Sequence, residues 1–215
     1  MCVYAPCLRT ALSRYAALVE RSQTIVLDLG EVLVSSAGVL PALAAALEVS
    51  ESDLAGVYWP GRGEYDRGGP ARDYWASVLD GLGRGVDPEL ALRAERLDSL
   101  KWSQLPDTSA TFLARLGDAG RRPSVLSNAP APLARAVRDA PWSNRVEHLV
   151  FSADLGLCKP EPEIYARADA VYGTAPDQVV FFDDRVDNVA AARAHGWDAH
   201  VWPGPDAALE LLGFR

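Results

Sequence analysis

The chain has 215 residues, of which 49% are hydrophobic and 23% charged, with a formal net charge of −8. This length suits one domain, or one domain carrying an insertion, and the composition argues against disordered, collagen-like and disulfide-scaffold classes. The acidic balance argues against a nucleic acid or an anionic membrane as partner, since either favours a basic face, but it leaves room for a local basic pocket that takes a small anion.

Residues 1–21 read as an N-terminal extension. They lack the basic start, apolar stretch and small-residue cleavage site of a signal peptide, and Leu8, Leu12, Tyr15 and Leu18 recur at helical spacing, which predicts an amphipathic arm. Cys2, Cys7 and Cys158 are odd in number and form no CxxC pair, the pattern of free thiols in a reducing compartment. No run reaches the ~18 apolar residues that span a bilayer. The expected location is therefore the cytoplasm, with no membrane partner, as a monomer or homodimer.

Residues 23–30 (QTIVLDLG) form a short apolar run that stops at Asp and Gly, the pattern of a buried strand ending in a turn. Residues 123–128, 148–154, 178–184 and 197–202 repeat it. Helical spacing lies between and after them, near 108–119, 131–139, 161–172, 186–195 and 205–212. Alternation of this kind predicts an α/β fold with a mainly parallel sheet covered on both faces. Residues 35–105 break the alternation. They are too long for a plain loop and carry helical patterns near 38–48, 50–57, 70–80 and 87–99, interrupted by a Gly/Pro-rich stretch over 59–70. The expected organisation is a core of residues 22–34 and 106–215 with a helical cap of residues 35–105.

Ligands of an open parallel sheet bind beyond the carboxyl ends of its strands. Asp28, Ser127-Asn128 and Asp183-Asp184 stand at such ends, with Lys159 in the loop after the third strand. Lys159 is one of only two lysines among 21 basic residues, which adds weight to its place in this set. Three carboxylates converging on one point need a cation, and hard oxygen ligands with open positions suit Mg²⁺ together with a substrate phosphate. The spare carboxylate, Asp28, is placed to attack phosphorus and form an aspartyl-phosphate.

Four segments occur in order: LDLGEVL (27–33), LSNA (126–129), GLCKPEPEIY (156–165) and FFDDRVDN (181–188). Together they resemble the haloacid dehalogenase superfamily, over residues 24 to about 202. The resemblance implies a Rossmann-like sheet with an inserted α-helical cap that sets substrate selectivity. It implies Asp28 as nucleophile and Mg²⁺ ligand, the carbonyl of Gly30 as a second ligand, and Asp184 and Asp183 as further metal-holding groups. Ser127, supported by Asn128, would hold the phosphoryl oxygens, Lys159 would bridge nucleophile and phosphate, and Asn188 would orient the acidic loop.

One position departs from the pattern of most phosphatases of that superfamily. The residue two after the nucleophile, where an Asp protonates the leaving oxygen, is Gly30, followed by Glu31. This DLGxVL form resembles a branch that includes sugar-1-phosphate phosphatases, where a good leaving group lessens the need for an acid. Glu31 is the replacement candidate. In the insertion, Tyr58, Trp59, Arg62, Tyr65, Arg67 and Trp75 form an aromatic and basic cluster. Arg62 and Tyr65 are its best substrate-binding candidates, because the glycines around them suit a loop that closes over a substrate. His148, His195 and His200 share no metal-ligand spacing.

The expected function is Mg²⁺-dependent hydrolysis of a small phosphorylated metabolite such as a sugar phosphate. Two other functions are open to the same fold. A 2-haloacid dehalogenase would use Asp28 on carbon without metal, and the acid pair Asp183-Asp184 argues against it. A catalytically weak phospho-ligand-binding scaffold has only the Gly30 substitution in its favour.

Overall fold

A computed structural model describes residues 23–214 of the chain. The amphipathic arm expected over residues 8–20 lies outside the described residues. Five strands form one parallel sheet: β1 (Thr24–Leu27), β2 (Ser124–Ser127), β3 (Leu149–Phe151), β4 (Val179–Asp183) and β5 (Asp198–Val201), in the order β3-β2-β1-β4-β5. β1 is central, so Asp28 leaves the sheet in the middle of its carboxyl edge. Its N–H still donates to the Phe182 carbonyl at 2.9 Å, which extends the ladder by one rung.

β1 to β4 are buried on both faces, which is why they read as continuous apolar runs, whereas the edge strand β5 is largely exposed. Side chains alternate across the sheet. Ile25, Leu27, Val125, Val180 and Phe182 enter one core, and Val26, Leu126, Val150, Val179 and Phe181 enter the other. The first core is closed by α6 (Asp107–Asp118), α7 (Ala131–Asp139), α11 (Pro205–Leu211) and the insertion. The second is closed by α9 (Pro162–Tyr172) and α10 (Val186–His195). Each large side chain withdrawn from water in these layers contributes about 1.5–3 kcal/mol.

Between β1 and β2 run α1 (Leu40–Leu47), α2 (Glu51–Tyr58), α3 (Arg62–Asp66), α4 (Ala71–Gly81) and α5 (Pro88–Trp102). Their starts are written locally. The Ser50 side chain caps α2 by accepting from Asp53 N–H at 3.1 Å, and Asp87 caps α5 by accepting from Glu89 and Leu90 N–H. Pro88 sits at the first position of α5, where no N–H is required.

Two local expectations change. The Gly/Pro-rich stretch contains a helix, α3, because Gly61 takes a left-handed φ of 78° at its N-cap and the five residues are then held by tertiary contacts. The third strand stops at Phe151, and Ser152 opens a short helix, α8 (Ser152–Leu155). The Ser152 hydroxyl accepts from Ala129 N–H at 2.8 Å and donates to the Asp66 carbonyl, so the chain turns toward the insertion instead of continuing the ladder. No helix among the described residues is long and apolar enough to cross a membrane.

Candidate active site

The carboxyl edge of the sheet and the insertion enclose a cleft of about 650 Å³. Asp28, Gly30, Glu31, Ser127, Asn128, Lys159, Asp184 and Asn188 line it from the sheet side. Trp59, Arg62, Asp66, Arg67 and Trp102 line it from the insertion. A larger groove of about 870 Å³ runs along α5 and α7, but none of the motif residues lines it.

Lys159 is the centre of the sheet-side group. Its ammonium is 2.9 Å from Asp28 Oδ1 and 2.6 Å from Asp183 Oδ2, and it donates to the Leu126 carbonyl at 2.8 Å. All three side chains are buried. The loop that delivers the lysine is fixed by Asn128, whose Nδ2 donates to the Lys159 carbonyl and whose Oδ1 accepts from the Lys159 N–H, both at 2.8 Å. The Asn128 amide is therefore occupied in holding Lys159, and Ser127, buried at the end of β2, is the hydroxyl that stands beside Asp28.

Asp183 uses both oxygens internally. Oδ2 takes Lys159, and Oδ1 accepts from Arg185 N–H and Asn188 Nδ2, each at 2.9 Å. Asn188 thus ties the first turn of α10 to the acidic strand end, and its carbonyl accepts from Tyr165 Oη at 2.9 Å. Asp184 is exposed. Asp28, Asp183 and Asp184 each offer an oxygen within 4.8 Å of the others, a set that fits a hard divalent cation. Asp28 and Asp184 have the freer oxygens.

Burial pushes the Asp28 carboxyl up to about 7, against the lowering effect of Lys159 and with the Asp183 charge adding to the rise. Burial alone would lower Lys159, but the charges of Asp28 and Asp183 outweigh it and hold the ammonium above its ordinary value. Asp184 is raised by partial burial and by Asp183.

After Asp28 the chain makes a tight turn in which Leu29 O accepts from both Leu33 and Val34 N–H. Glu31 takes a left-handed φ of 54°, uncommon for a side chain with a Cβ. Its carboxylate accepts from Ser36 N–H at 2.7 Å and from Ser35 Oγ at 3.1 Å, so it lines the cleft while bound to its own turn. Trp102 lies over Gly30. A Cβ on residue 30 would meet Trp102 Cζ3 at 3.8 Å, an ordinary contact.

In the insertion, Arg62 lines the cleft but is already engaged. Its Nε bonds Asp66 Oδ1 at 2.8 Å, and its Nη1 donates to Tyr58 Oη at 2.6 Å and reaches Asp98 Oδ2 at 3.4 Å. Tyr58 Oη in turn donates to Asp98 Oδ1 at 2.7 Å and accepts from Trp102 Nε1 at 2.8 Å. Tyr65 is buried, stacked on Tyr74 with ring centroids 4.3 Å apart, and does not line the cleft. It packs the wall behind Arg62, whose guanidinium lies 5.5 Å from the Tyr65 ring. Arg67 pairs with Glu161 at 2.7 Å across the seam between insertion and core.

The glycines of this stretch serve packing as well as turning. A Cβ on Gly69 would come within 2.7 Å of the Glu64 carbonyl, and one on Gly68 within 3.1 Å of the Ala153 carbonyl. Asp66, Asp98 and Trp102 escaped the sequence reading. Asp98 carries no signal at all, being one charged residue among many in α5, yet it is fully buried.

Known proteins share this architecture. The structure of a HAD-family enzyme from Bacteroides thetaiotaomicron, in complex with magnesium and inorganic phosphate, matches with a TM-score of 0.60 at 18% identity, covering 83% of this chain and 93% of that one. The L-2-haloacid dehalogenase from Xanthobacter autotrophicus matches with a TM-score of 0.66 at 23% identity, covering 82% of this chain and 76% of that one. At these identities the likeness is one of fold. The family model described as haloacid dehalogenase-like hydrolase matches residues 23–196, from the start of β1 to just past α10. That span contains every residue of the cleft, and the chain belongs to the haloacid dehalogenase-like hydrolases.

Proposed function

We propose that the protein is a Mg²⁺-dependent phosphatase of small phosphomonoesters, sugar phosphates being the favoured class, that works through an aspartyl-phosphate on Asp28. The observation that carries this reading is one buried ammonium, Lys159, held between Asp28 and Asp183 beside a third, exposed carboxylate, Asp184. Once ionised, the two buried acids exceed the one lysine by a full charge, and Asp184 adds another. A divalent cation balances that excess and leaves coordination positions for phosphate. A relative of the same fold, solved with magnesium and inorganic phosphate, supports the choice.

In this reading Asp28, the Gly30 carbonyl and Asp184 hold Mg²⁺, with Asp183 behind them. An ion held there would supply positive charge to offset that on the transferring phosphoryl group. Asp28 attacks phosphorus in line with the departing oxygen. Lys159 favours the anionic form of Asp28, aims it, and offers a donor to the equatorial oxygens. Ser127 supplies a hydroxyl to the same oxygens. The first turn of α7, four residues beyond Ser127, adds the positive end of a helix dipole. Asn128, Asp183 and Asn188 fix the lysine and the acidic loop.

The test is phosphate release from a panel of sugar phosphates, nucleotides and acyl phosphates, with Mg²⁺ and with chelator, using wild type beside Asp28→Asn. Metal-dependent release that the substitution abolishes is the expected result. Chloride release from 2-chloropropionate without metal would replace this reading with a dehalogenase. Micromolar ligand binding without turnover would replace it with a scaffold.

A further inference from the structure

Hydrolysis of a phosphomonoester requires two proton transfers that Asp28, Lys159 and Ser127 leave unassigned. The departing oxygen must gain a proton, and the water that attacks the aspartyl-phosphate must lose one. Gly30 has no side chain to do either. The carboxylate of Glu31 is bound by Ser36 N–H and Ser35 Oγ in its own turn. Trp102, which lies over Gly30, closes that side of the cleft with an aromatic edge.

The opposite wall does carry an acid. Asp66, the last residue of α3, lines the same cleft as Asp28, Ser127 and Lys159. Its backbone is fixed to the phosphate-side loop by one hydroxyl, since Ser152 Oγ donates to the Asp66 carbonyl and accepts from Ala129 N–H, two residues beyond Ser127. Arg62 Nε holds Oδ1 at 2.8 Å. Oδ2 takes no hydrogen bond from any described residue, and the side chain keeps 12% of its surface accessible. The charged and titratable groups facing it are Arg62 from its own helix, Asp98 from α5, Tyr74 from α4 and Cys158 from the loop before Lys159. One guanidinium is thus shared between two acids. Burial pushes Asp66 up to about 6, opposed by Arg62 and reinforced by Asp98, so near neutral pH it exchanges a proton readily.

We propose that Asp66 is the general acid and base of this enzyme, acting from the insertion wall on the leaving oxygen and then on water. The proposal rests on the phosphatase reading. In the first step Asp28 Oδ bonds to phosphorus, the P–O bond to the alcohol breaks with its electron pair on oxygen, and the Asp66 proton passes to that oxygen. In the second step the Asp66 carboxylate takes a proton from water as the water oxygen bonds to phosphorus. The bond from phosphorus to Asp28 breaks, inorganic phosphate leaves, and Asp66 is again protonated.

The test compares two esters with Mg²⁺ present: β-glycerol phosphate, whose alkoxide needs a proton, and p-nitrophenyl phosphate, whose phenolate does not. Asp66→Asn is expected to lower kcat/KM for the alkyl ester by ~10²-fold or more and for the aryl ester by less than about threefold. With the aryl ester a burst of nitrophenolate should precede slow turnover, because water attack has lost its base. Asp98→Asn keeps the cleft-facing acid but removes a charge that raises it, so the alkyl-to-aryl ratio should match wild type at low pH and begin to fall at a lower pH. Wild type alone gives a second reading: the ratio of alkyl to aryl kcat/KM should fall as pH rises through about 6. An Asp66→Asn variant that treats both esters alike, or a ratio that stays flat from about pH 5 to 8 when Asp66→Asn does not fold, overturns the proposal while wild-type turnover leaves the phosphatase reading intact. Silence of the wild type toward both esters removes that reading, and this one with it.

Discussion

Each wall of the cleft is built around the same charge pattern, two buried acids on one base, yet the two walls sit differently. On the sheet side Lys159 lies between Asp28 and Asp183, on the insertion side Arg62 lies between Asp66 and Asp98. The sheet-side acids are fixed at the ends of adjacent strands, and a third carboxylate stands beside them, so their excess charge suits a metal ion. The insertion-side acids sit on two helices and are bridged by Arg62, with no third carboxylate grouped with them among the described residues, so their excess charge suits a proton. A third carboxylate beside the pair separates a cation site from a proton site.

The largest effect should come from the nucleophile. Asp28→Asn keeps the side-chain shape and removes one of two acids competing for Lys159, so the fold should survive while phosphate release falls by at least about 10⁴-fold. Phosphate assays beside a thermal unfolding scan check both halves of that statement.

Lys159→Met comes next, as a stability effect. It leaves Asp28 and Asp183 buried without their cation, which should cost about 3–5 kcal/mol in chemical denaturation at pH 7. The sign with pH follows from the raised carboxyl of Asp28. Lys159 lowers that value in the wild type, so its removal lifts Asp28 of the variant further, and the deficit should shrink as pH falls toward about 7 from above. A deficit unchanged between about pH 9 and 7 would mean that Asp28 does not share the lysine.

The sheet-side cluster was legible in the sequence and the insertion-side cluster was not, for a physical reason. A strand buried on both faces is an uninterrupted apolar run, so a polar residue at its end stands out, and parallel topology then gathers such ends on one edge. Asp28, Ser127 and Asp183 were found this way. Asp98 sits within α5 among Arg93, Glu95 and Arg96, where a charged residue normally means a solvated face, but its partners Tyr58 and Arg62 come from α2 and α3, 40 and 36 residues away. Arg62 reads as a substrate ligand from the glycines around it, but the acids that occupy it lie four and 36 residues away. The side chain of Asn128 was placed near phosphate, but whether its amide is free is decided by the Lys159 loop, 31 residues on. The short helix α3 is below the length at which local propensity decides, and tertiary contacts set it.

On the insertion side the expected effect is a slope. Asp66 titrates at about 6 when folded against the ordinary 3.8, so its ionisation costs roughly 2–4 kcal/mol of stability at pH 7, a cost that is absent below the unfolded value. Wild-type stability should carry that loss between about pH 4 and 6, and Asp66→Asn should flatten it. The difference between the two proteins, measured by denaturation at several pH values, isolates Asp66 from Asp28. Equal slopes would place Asp66 in ordinary contact with water.

The smallest effects concern the glycines that shape this wall. A glycine-rich stretch over a cleft reads as a loose lid, but Gly69 sits where a Cβ would be 2.7 Å from the Glu64 carbonyl, a backbone atom with little freedom to retreat. Gly69→Ala should therefore destabilise by about 1–3 kcal/mol through overpacking. Gly63, inside α3, has nothing within 4 Å of a Cβ and no left-handed φ, so Gly63→Ala should stabilise the helix by about 0.5–1 kcal/mol. If α3 is a packed wall that holds Asp66 in place, the two substitutions move thermal midpoints in opposite directions and Gly63→Ala leaves turnover intact. If the stretch works by opening and closing, stiffening it at Gly63 slows turnover even as the midpoint rises. The sign of that one rate change therefore separates a fixed acid from a moving lid.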